Sequence, residues 1–453
     1  MPALLPLLLL AATDLSSCVP ARWPSPDPQS LALLKGTPIN CLVVPKTEWP
    51  QDFLLAARES GIRVLASVSG SPEAAPEGFA GFLVETELPR EAVERLSRAA
   101  QVVEATGRAR LLQASPGSVA GTHEALWPGV RLETPEGKTQ AAPSGAPWID
   151  TNSGFVRFAR ALTGAHVWLT NRPPAGRVFT ADQYVAAAAD AAVAGARWVL
   201  ALDDDLQKRL LAREPRALQD WATIAKGLSF LEEHRAWMLY PPSGQLAVIQ
   251  DADSGAALSA GLMDMIGSRH TPARIVPSSR LSPENLRGVS LAINIEPDSV
   301  PDRSKQVLRE FTRGGGRVFN SPPGWHFPRT EGYVLALEKL SKEEVGHFDL
   351  IWRQITSQTW NKNMGARLYN VASMVSHLAA SPDQSRSYLF LVNYSGYEAE
   401  NITVHVPGKF SKAILHTPEA AAQAQEIYEL EEGTGIDIAR LKVAGILELT
   451  ARP

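Results

Sequence analysis

The residues of this chain best suited to chemistry are carboxylates that follow short apolar runs. Asp150 stands in Pro147-Trp148-Ile149-Asp150-Thr151-Asn152, with an indole two residues before it and an amide two residues after it. Asp203, Asp204 and Asp205 follow an apolar stretch that ends at Leu202. Glu85 follows Phe82-Leu83-Val84, Glu104 lies within a β-type run, and Glu124 adjoins His123 and Trp127. Cleavage of a glycosidic bond needs two carboxyl groups, about 5 Å apart for retention of configuration or about 6.5–9.5 Å for inversion. Asp150, Asp204 and Glu85 are therefore the candidate catalytic acids.

Their neighbours suit a sugar. Trp148 and Trp127 are candidate platforms for the C–H face of a ring. Asn152, Glu124, His123 and Asp203 are candidate ligands for hydroxyl groups, and Arg172, after Asn171, for hydroxyls or a carboxylate. Each acid also has a structural alternative. Asp150, Thr151 or Asn152 are N-cap types ahead of the helical stretch from about Gly154, and the Asp203–Asp205 run equally caps the next helix. Arg172 equally suits an ion pair with an aspartate.

Other chemistries are poorly provided for. The two cysteines, Cys18 and Cys41, build neither a disulfide framework nor a thiolate metal cluster. The nine histidines contain no His-x-x-x-His pair, so neither a metal nor a cofactor is expected; a carboxylate-only site such as Asp203 with Asp204 would favour Ca2+ or Mg2+. Gly-x-Ser-x-Gly, Gly-x-Gly-x-x-Gly and P-loop patterns are missing after any apolar run. A net charge of −4 leaves no basic footprint for nucleic acid.

Acids at the ends of apolar runs need a scaffold that brings those ends together. Between about residues 37 and 240 the chain alternates β-type runs with amphipathic stretches, the pattern of parallel βα units. The runs are Ile39–Val44, Ile62–Val68, Gly81–Thr86, Gln101–Thr106, one within Val119–Leu132, Ala146–Asp150, His166–Thr170 and Arg197–Asp203. Eight strands predict a closed (β/α)8 barrel over residues 30–242, whose functional side chains converge at the C-terminal strand ends. A doubly wound open sheet is the alternative.

Pro241-Pro242-Ser243-Gly244 is a break, and a second, smaller α/β unit of flavodoxin type is expected over 243–332. A bridging helical segment over 333–385 and a β-sandwich over 386–453 complete the chain. Residues 1–29 read as a leader and linker. Leu4 to Ala12 has the length of a signal-peptide core. Leu15-Ser16-Ser17-Cys18 resembles the lipobox of bacterial lipoproteins, with Cys18 as the acylated residue and Val19–Gln29 as a Pro-rich tether. The expectation is an exported protein, periplasmic or membrane-anchored; a buried first strand is the alternative for this segment.

The order of barrel, small α/β unit and β-sandwich resembles modular glycoside hydrolases, the family 42 β-galactosidases in particular. That resemblance implies a glycosidase acting on an extracellular oligo- or polysaccharide. It also implies a middle domain like class I glutamine amidotransferases that lacks the glutaminase cysteine and serves homo-oligomer assembly. No cysteine follows Cys41, in keeping with that loss. The chain departs from the family in its short barrel and in having no recognisable pair of glutamates after two strands. A non-catalytic carbohydrate-binding or scaffold protein on a degenerate barrel is the second expectation.

Overall fold

The computed structural model describes residues 14–46, 48–71, 77–128, 131–133, 140–142, 149, 151–253, 257, 260–267, 271–325 and 341–452. Its first unit is a parallel sheet of eight short strands: β1 Pro20–Arg22, β2 Cys41–Val44, β3 Arg63–Val68, β4 Gly81–Val84, β5 Gln101–Thr106, β6 Val119–Thr122, β7 His166–Leu169 and β8 Arg197–Trp198. They pair in chain order. The two ends of the ladder then meet: Ala21 bridges Leu200 in parallel, with Arg22 N–H donating to the Leu200 carbonyl at 2.7 Å and Leu200 N–H to Pro20 at 3.0 Å. This bridge nearly closes the sheet into a barrel and takes up edge groups of both end strands.

Strands arranged in this way are buried on both faces, so their apolar character is continuous rather than alternating. All four residues of β2 and of β4 are buried. Cys41 and Val43, Leu65, Leu83, Val103 and Ala105, Trp168 and Val199 form one cluster, and Leu15 and Cys18 join it from the turn before β1. Leu42, Val44, Val64, Val167 and Leu169 alternate with these and pack against the outer helices. Trp168 is the largest fully buried side chain, so one indole takes up much of the volume that several aliphatic residues fill in a larger barrel.

The expected strand set is corrected at both ends. The segment expected as a tether carries β1, and Cys18 is fully buried with Cys41 in one apolar cluster. A diacylglycerol on that sulfur has no route to solvent while β1 stays in the barrel. The run Ala146–Asp150 lies outside the described residues apart from Ile149, and β6 pairs directly with β7 through Gly121 and Trp168, leaving no place for a strand between them.

Helices α1 Gln51–Glu59, α2 Arg90–Ala99, α3 Ser153–Thr163, α4 Ala181–Val193, α5 Asp204–Leu211 and α6 Pro215–Glu233 surround the barrel. A capping box between Thr180 and Gln183 starts α4. Its small alanine side chains allow close approach, and ten of its residues are buried. Among them Asp190 accepts from Asn152 N–H at 3.0 Å, from Asn152 Nδ2 at 2.8 Å and from the Tyr394 hydroxyl at 2.8 Å. Burial raises its pKa against the pull of these donors. The single carboxylate thereby ties α3 and α4 to the C-terminal unit.

The second unit is a four-stranded parallel sheet of β9 Leu246–Gln250, β10 Ala273–Pro277, β11 Leu291–Asn294 and β12 Arg317–Asn320, in the order β10-β9-β11-β12. Helices α7 Gly261–Gly267 and α8 Asp302–Arg313 belong to it. Thr151 Oγ1 donates to Asp264 of α7 at 2.7 Å and so fastens it to the barrel. Helix α9 Lys342–Thr359 leads into the third unit.

The third unit begins earlier than expected. Two antiparallel sheets face each other across an apolar core. One is ordered β13 Arg367–Tyr369, β16 Ala399–Pro407, β20 Gly433–Leu441, β19 Ile427–Leu430; the other β14 Met374–Ala380, β15 Arg386–Asn393, β21 Ala444–Ala451, β17 Phe410–His416, β18 Gln423–Gln425. Trp237 stacks on Tyr388 at 4.6 Å and joins this sandwich to the barrel. No helix among the described residues is long and apolar enough to cross a membrane.

Candidate functional site

The C-terminal ends of the barrel strands open on a cavity of about 320 Å³ above β1, β2, β7 and β8. Trp23, Val43, Pro45, Pro173 and Leu202 give it apolar surface, and Arg22, Arg172, Arg177, Asp204 and Gln207 give it polar groups. Two of those charges converge on Glu85 at the end of β4. Arg22 Nη2 lies 2.5 Å from Glu85 Oε1. Arg172 Nη2 reaches both Glu85 oxygens, at 3.1 and 3.0 Å. Arg22 is also held by the Thr170 carbonyl at 3.1 Å.

This Arg22–Glu85–Arg172 triad grades from buried to open, with side chains 13%, 25% and 56% exposed. Burial raises the Glu85 pKa, but the Arg22 charge, then that of Arg172, outweighs it and holds the carboxyl below its ordinary value. A carboxylate held ionised can act as a base, a nucleophile or a hydrogen-bond acceptor; it is not suited to donate a proton.

The remaining expected residues divide sharply. Asp203 is buried and its oxygens are fully engaged. Oδ1 caps α5 by accepting from Asp205 and Leu206 N–H at 3.1 and 3.0 Å, and Oδ2 accepts from Phe179 N–H at 3.1 Å and the Tyr184 hydroxyl at 2.7 Å. It is a cap, not a ligand group. Asp204, one residue on, is exposed and lines the cavity.

Asn152 is also structural. Its amide pairs with both polar groups of Leu126, accepting from N–H at 2.9 Å and donating to the carbonyl at 2.9 Å. Asn171 does the same for Ala125, accepting from its N–H at 3.0 Å and donating to its carbonyl. Two side-chain amides thus replace a missing β-ladder and fix the loop after β6. Buried as it is, Asn152 is out of a ligand's reach.

On that loop, Trp127 packs against Phe179 at 4.3 Å, Trp198 at 4.9 Å and Tyr184 at 5.6 Å, and its N–H donates to the Arg172 carbonyl at 3.2 Å. It braces the Arg172 backbone rather than lying open as a platform. Glu124 accepts from Arg108 N–H at 2.5 Å, capping the single helical turn after β5. Glu104 lies 3.4 Å from Arg110. His123 is exposed at the end of β6 with Nδ1 3.1 Å from the Ala105 carbonyl. Asp150 and Trp148 lie outside the described residues. Among those residues no group of His, Cys, Asp and Glu is arranged to hold a metal.

Arg22 was not foreseen, because it lies in the segment expected as a tether. The signal available was the apolar run Val19-Pro20-Ala21 ending in Arg22-Trp23, too short to stand out from the prolines around it. Arg177 and Gln207 follow no pattern that sequence alone marks.

No protein-family model matches this chain, and no curated protein matches it in sequence. Solved structures are similar to it in whole or in part. An α-L-fucosidase isoenzyme 2 from Paenibacillus thiaminolyticus is similar over 96% of this chain and 100% of its own, with a TM-score of 0.60 and 11% identity. A rhamnosidase from Novosphingobium sp. PP1Y is similar over 88% of this chain and 38% of its own, with a TM-score of 0.41 and 11% identity. At 11% identity the likeness to the fucosidase is one of fold. It places the chain in the class of (β/α)8-type barrels continued by further α/β and antiparallel β structure.

Proposed function

We propose that this chain binds a carbohydrate at the mouth of a glycosidase-type barrel without cleaving it. The observation that carries the reading is the Arg22–Glu85–Arg172 triad, whose two arginines line the cavity. Planar forks of donors beside a fixed acceptor match neighbouring sugar hydroxyls, which donate and accept at once. The apolar wall of Pro45, Pro173 and Val178 offers surface for C–H groups. Arg172 is paired directly with Glu85, and Asp203 is engaged as a helix cap. The full-length likeness to a fucosidase favours the carbohydrate class.

Hydrolysis is the second reading, favoured by that same likeness and by Asp204, which is exposed on the cavity. Glu85 then acts as base or nucleophile, with Asp204 or Asp150 supplying the acid. The middle sheet order β10-β9-β11-β12 fits the flavodoxin or amidotransferase type, and self-assembly through it belongs to both readings. Export rests on the run Leu4–Ala12 and is separable from acylation of Cys18.

The test is a panel of oligosaccharides assayed both for binding by calorimetry and for release of reducing ends. Saturable binding that Glu85→Gln abolishes, without product, supports the binding reading. Product release lost in both Glu85→Gln and Asp204→Asn establishes the hydrolase. Binding unaffected by Glu85→Gln would sink the mouth as the site.

A further inference from the structure

A larger cavity lies away from the mouth. It is a cleft of about 1130 Å³ where all three units meet, lined by Arg157 and Arg160 of α3, Arg274 of β10, Arg287 after it, and His377 of β14. Glu284, exposed, is the only acid on its wall among the described residues. None of the four arginines has a carboxylate within ion-pairing distance among those residues, although Asp190 and Asp264 lie near enough to Arg157 to favour its charge. Both Asp190 oxygens already serve Asn152 and Tyr394.

Arg274 donates to the Asn285 and Arg287 carbonyls at 2.9 and 3.0 Å, whereas other groups facing the cleft are short of partners. Arg157 Nε is buried with no acceptor. His377 is 4% exposed and its Nδ1 has no partner. Arg160 is held in place by the Ala194 carbonyl at 2.9 Å and lies across Gly195, whose φ of 84° and lack of a Cβ leave it room. Burial lowers the pKa of Arg157 to about 10 and that of Arg160, and after burial the Arg157 and Arg160 charges disfavour protonation of His377. Buried cations ordinarily have an anionic partner, because desolvating them alone is costly. Here the chain supplies the cations and leaves the space for the partner open.

We propose that this three-unit cleft binds an anionic small molecule bearing phosphate, sulfate or carboxylate groups. Arg157, Arg160 and His377 contact the anion, and Arg274 meets it from the facing wall. The site is separate from the barrel mouth and stands whether or not the mouth takes a sugar. Because its walls come from all three units, occupancy also favours their docked arrangement.

The full chain is titrated calorimetrically with inorganic phosphate, sulfate and citrate at ionic strength matched with sodium chloride. One saturable site is expected, and Arg160→Gln weakens it about tenfold or more, the loss of a charge-assisted hydrogen bond. Arg274→Gln is the second variant should Arg160→Gln fail to fold, and weakens binding likewise. Arg353→Gln, on the exposed face of α9, leaves the affinity unchanged. Saturation by citrate alone assigns a carboxylate ligand, and by phosphate or sulfate a tetrahedral one. No saturable binding of any of the three, or equal affinity in the folded variants, overturns the proposal.

Discussion

Glu85 and Arg172, 87 residues apart in the chain, meet across the barrel mouth through two hydrogen bonds of 3.1 and 3.0 Å from one guanidinium nitrogen. Arg22 completes the carboxylate's surroundings from β1. Glu85 is thereby held by two cations while staying partly open.

Replacing it with Gln leaves two guanidiniums facing each other, one of them mostly buried. Stability is expected to fall by about 1–3 kcal/mol, since Arg22 keeps the Thr170 carbonyl. The native pKa of Glu85 is lowered, so its stabilisation is complete above the ordinary glutamate value of about 4.3 and is lost as pH falls through the native value. Urea melts across that acid range should be steeper in pH for the wild type than for Glu85→Gln.

Asp203→Ala tests the cap. It removes acceptors from two N–H groups of α5, from Phe179 N–H and from the buried Tyr184 hydroxyl. Together these predict a loss of about 2–4 kcal/mol by denaturant melts. Ligand affinity of the folded fraction at the mouth should remain, in contrast to Glu85→Gln.

His377 titrates well below its ordinary value because it is buried, with Arg157 and then Arg160 adding to the effect. The unfolded chain binds that proton first, so stability is full above about pH 6.5 and is lost as pH falls towards the native value. His377→Gln should flatten this part of the stability profile; an unchanged slope would assign it to His166, His234 or His405, whose pKa values burial also lowers.

Cys18 and Cys41 are both buried and free, and interaction with the Cys18 side chain, then burial, pushes the Cys41 thiol up. A thiol reagent should therefore find no reactive group in the native protein and two after denaturation. Fast native labelling of Cys18 would place β1 outside the barrel and restore the acylated tether.

Much of the scaffold was legible because its strands are compact apolar runs. Gln101–Thr106 forms a strand with the bounds expected of it. What was not legible depended on partners far away in sequence. Pro20–Arg22 is a strand only because Cys41–Val44 on one side and Leu200 on the other take up its hydrogen bonds. Ala273–Pro277 is flanked by prolines that read as loop, and Gly433–Leu441 opens on Gly-Thr-Gly, which reads as turn. The site followed the same division. Glu85 could be named from its place after β4, whereas the difference between Asp203 and Asp204 rests on where Tyr184 and Phe179 come to lie.

The carboxylate of Asp190 waits for a hydroxyl that the ribosome makes 204 residues later. Throughout synthesis of the barrel and the middle sheet, one of its oxygens is without the donor it has in the finished molecule. Docking of α3 and α4 is thus completed only when the last unit emerges. Vectorial folding, domain after domain, is the usual habit of long chains; this one defers a closing step to its tail. Truncation before Tyr394 should leave the barrel sensitive to proteases in pulse-labelled nascent chains, and a protease-resistant barrel in that truncation would show that it closes unaided.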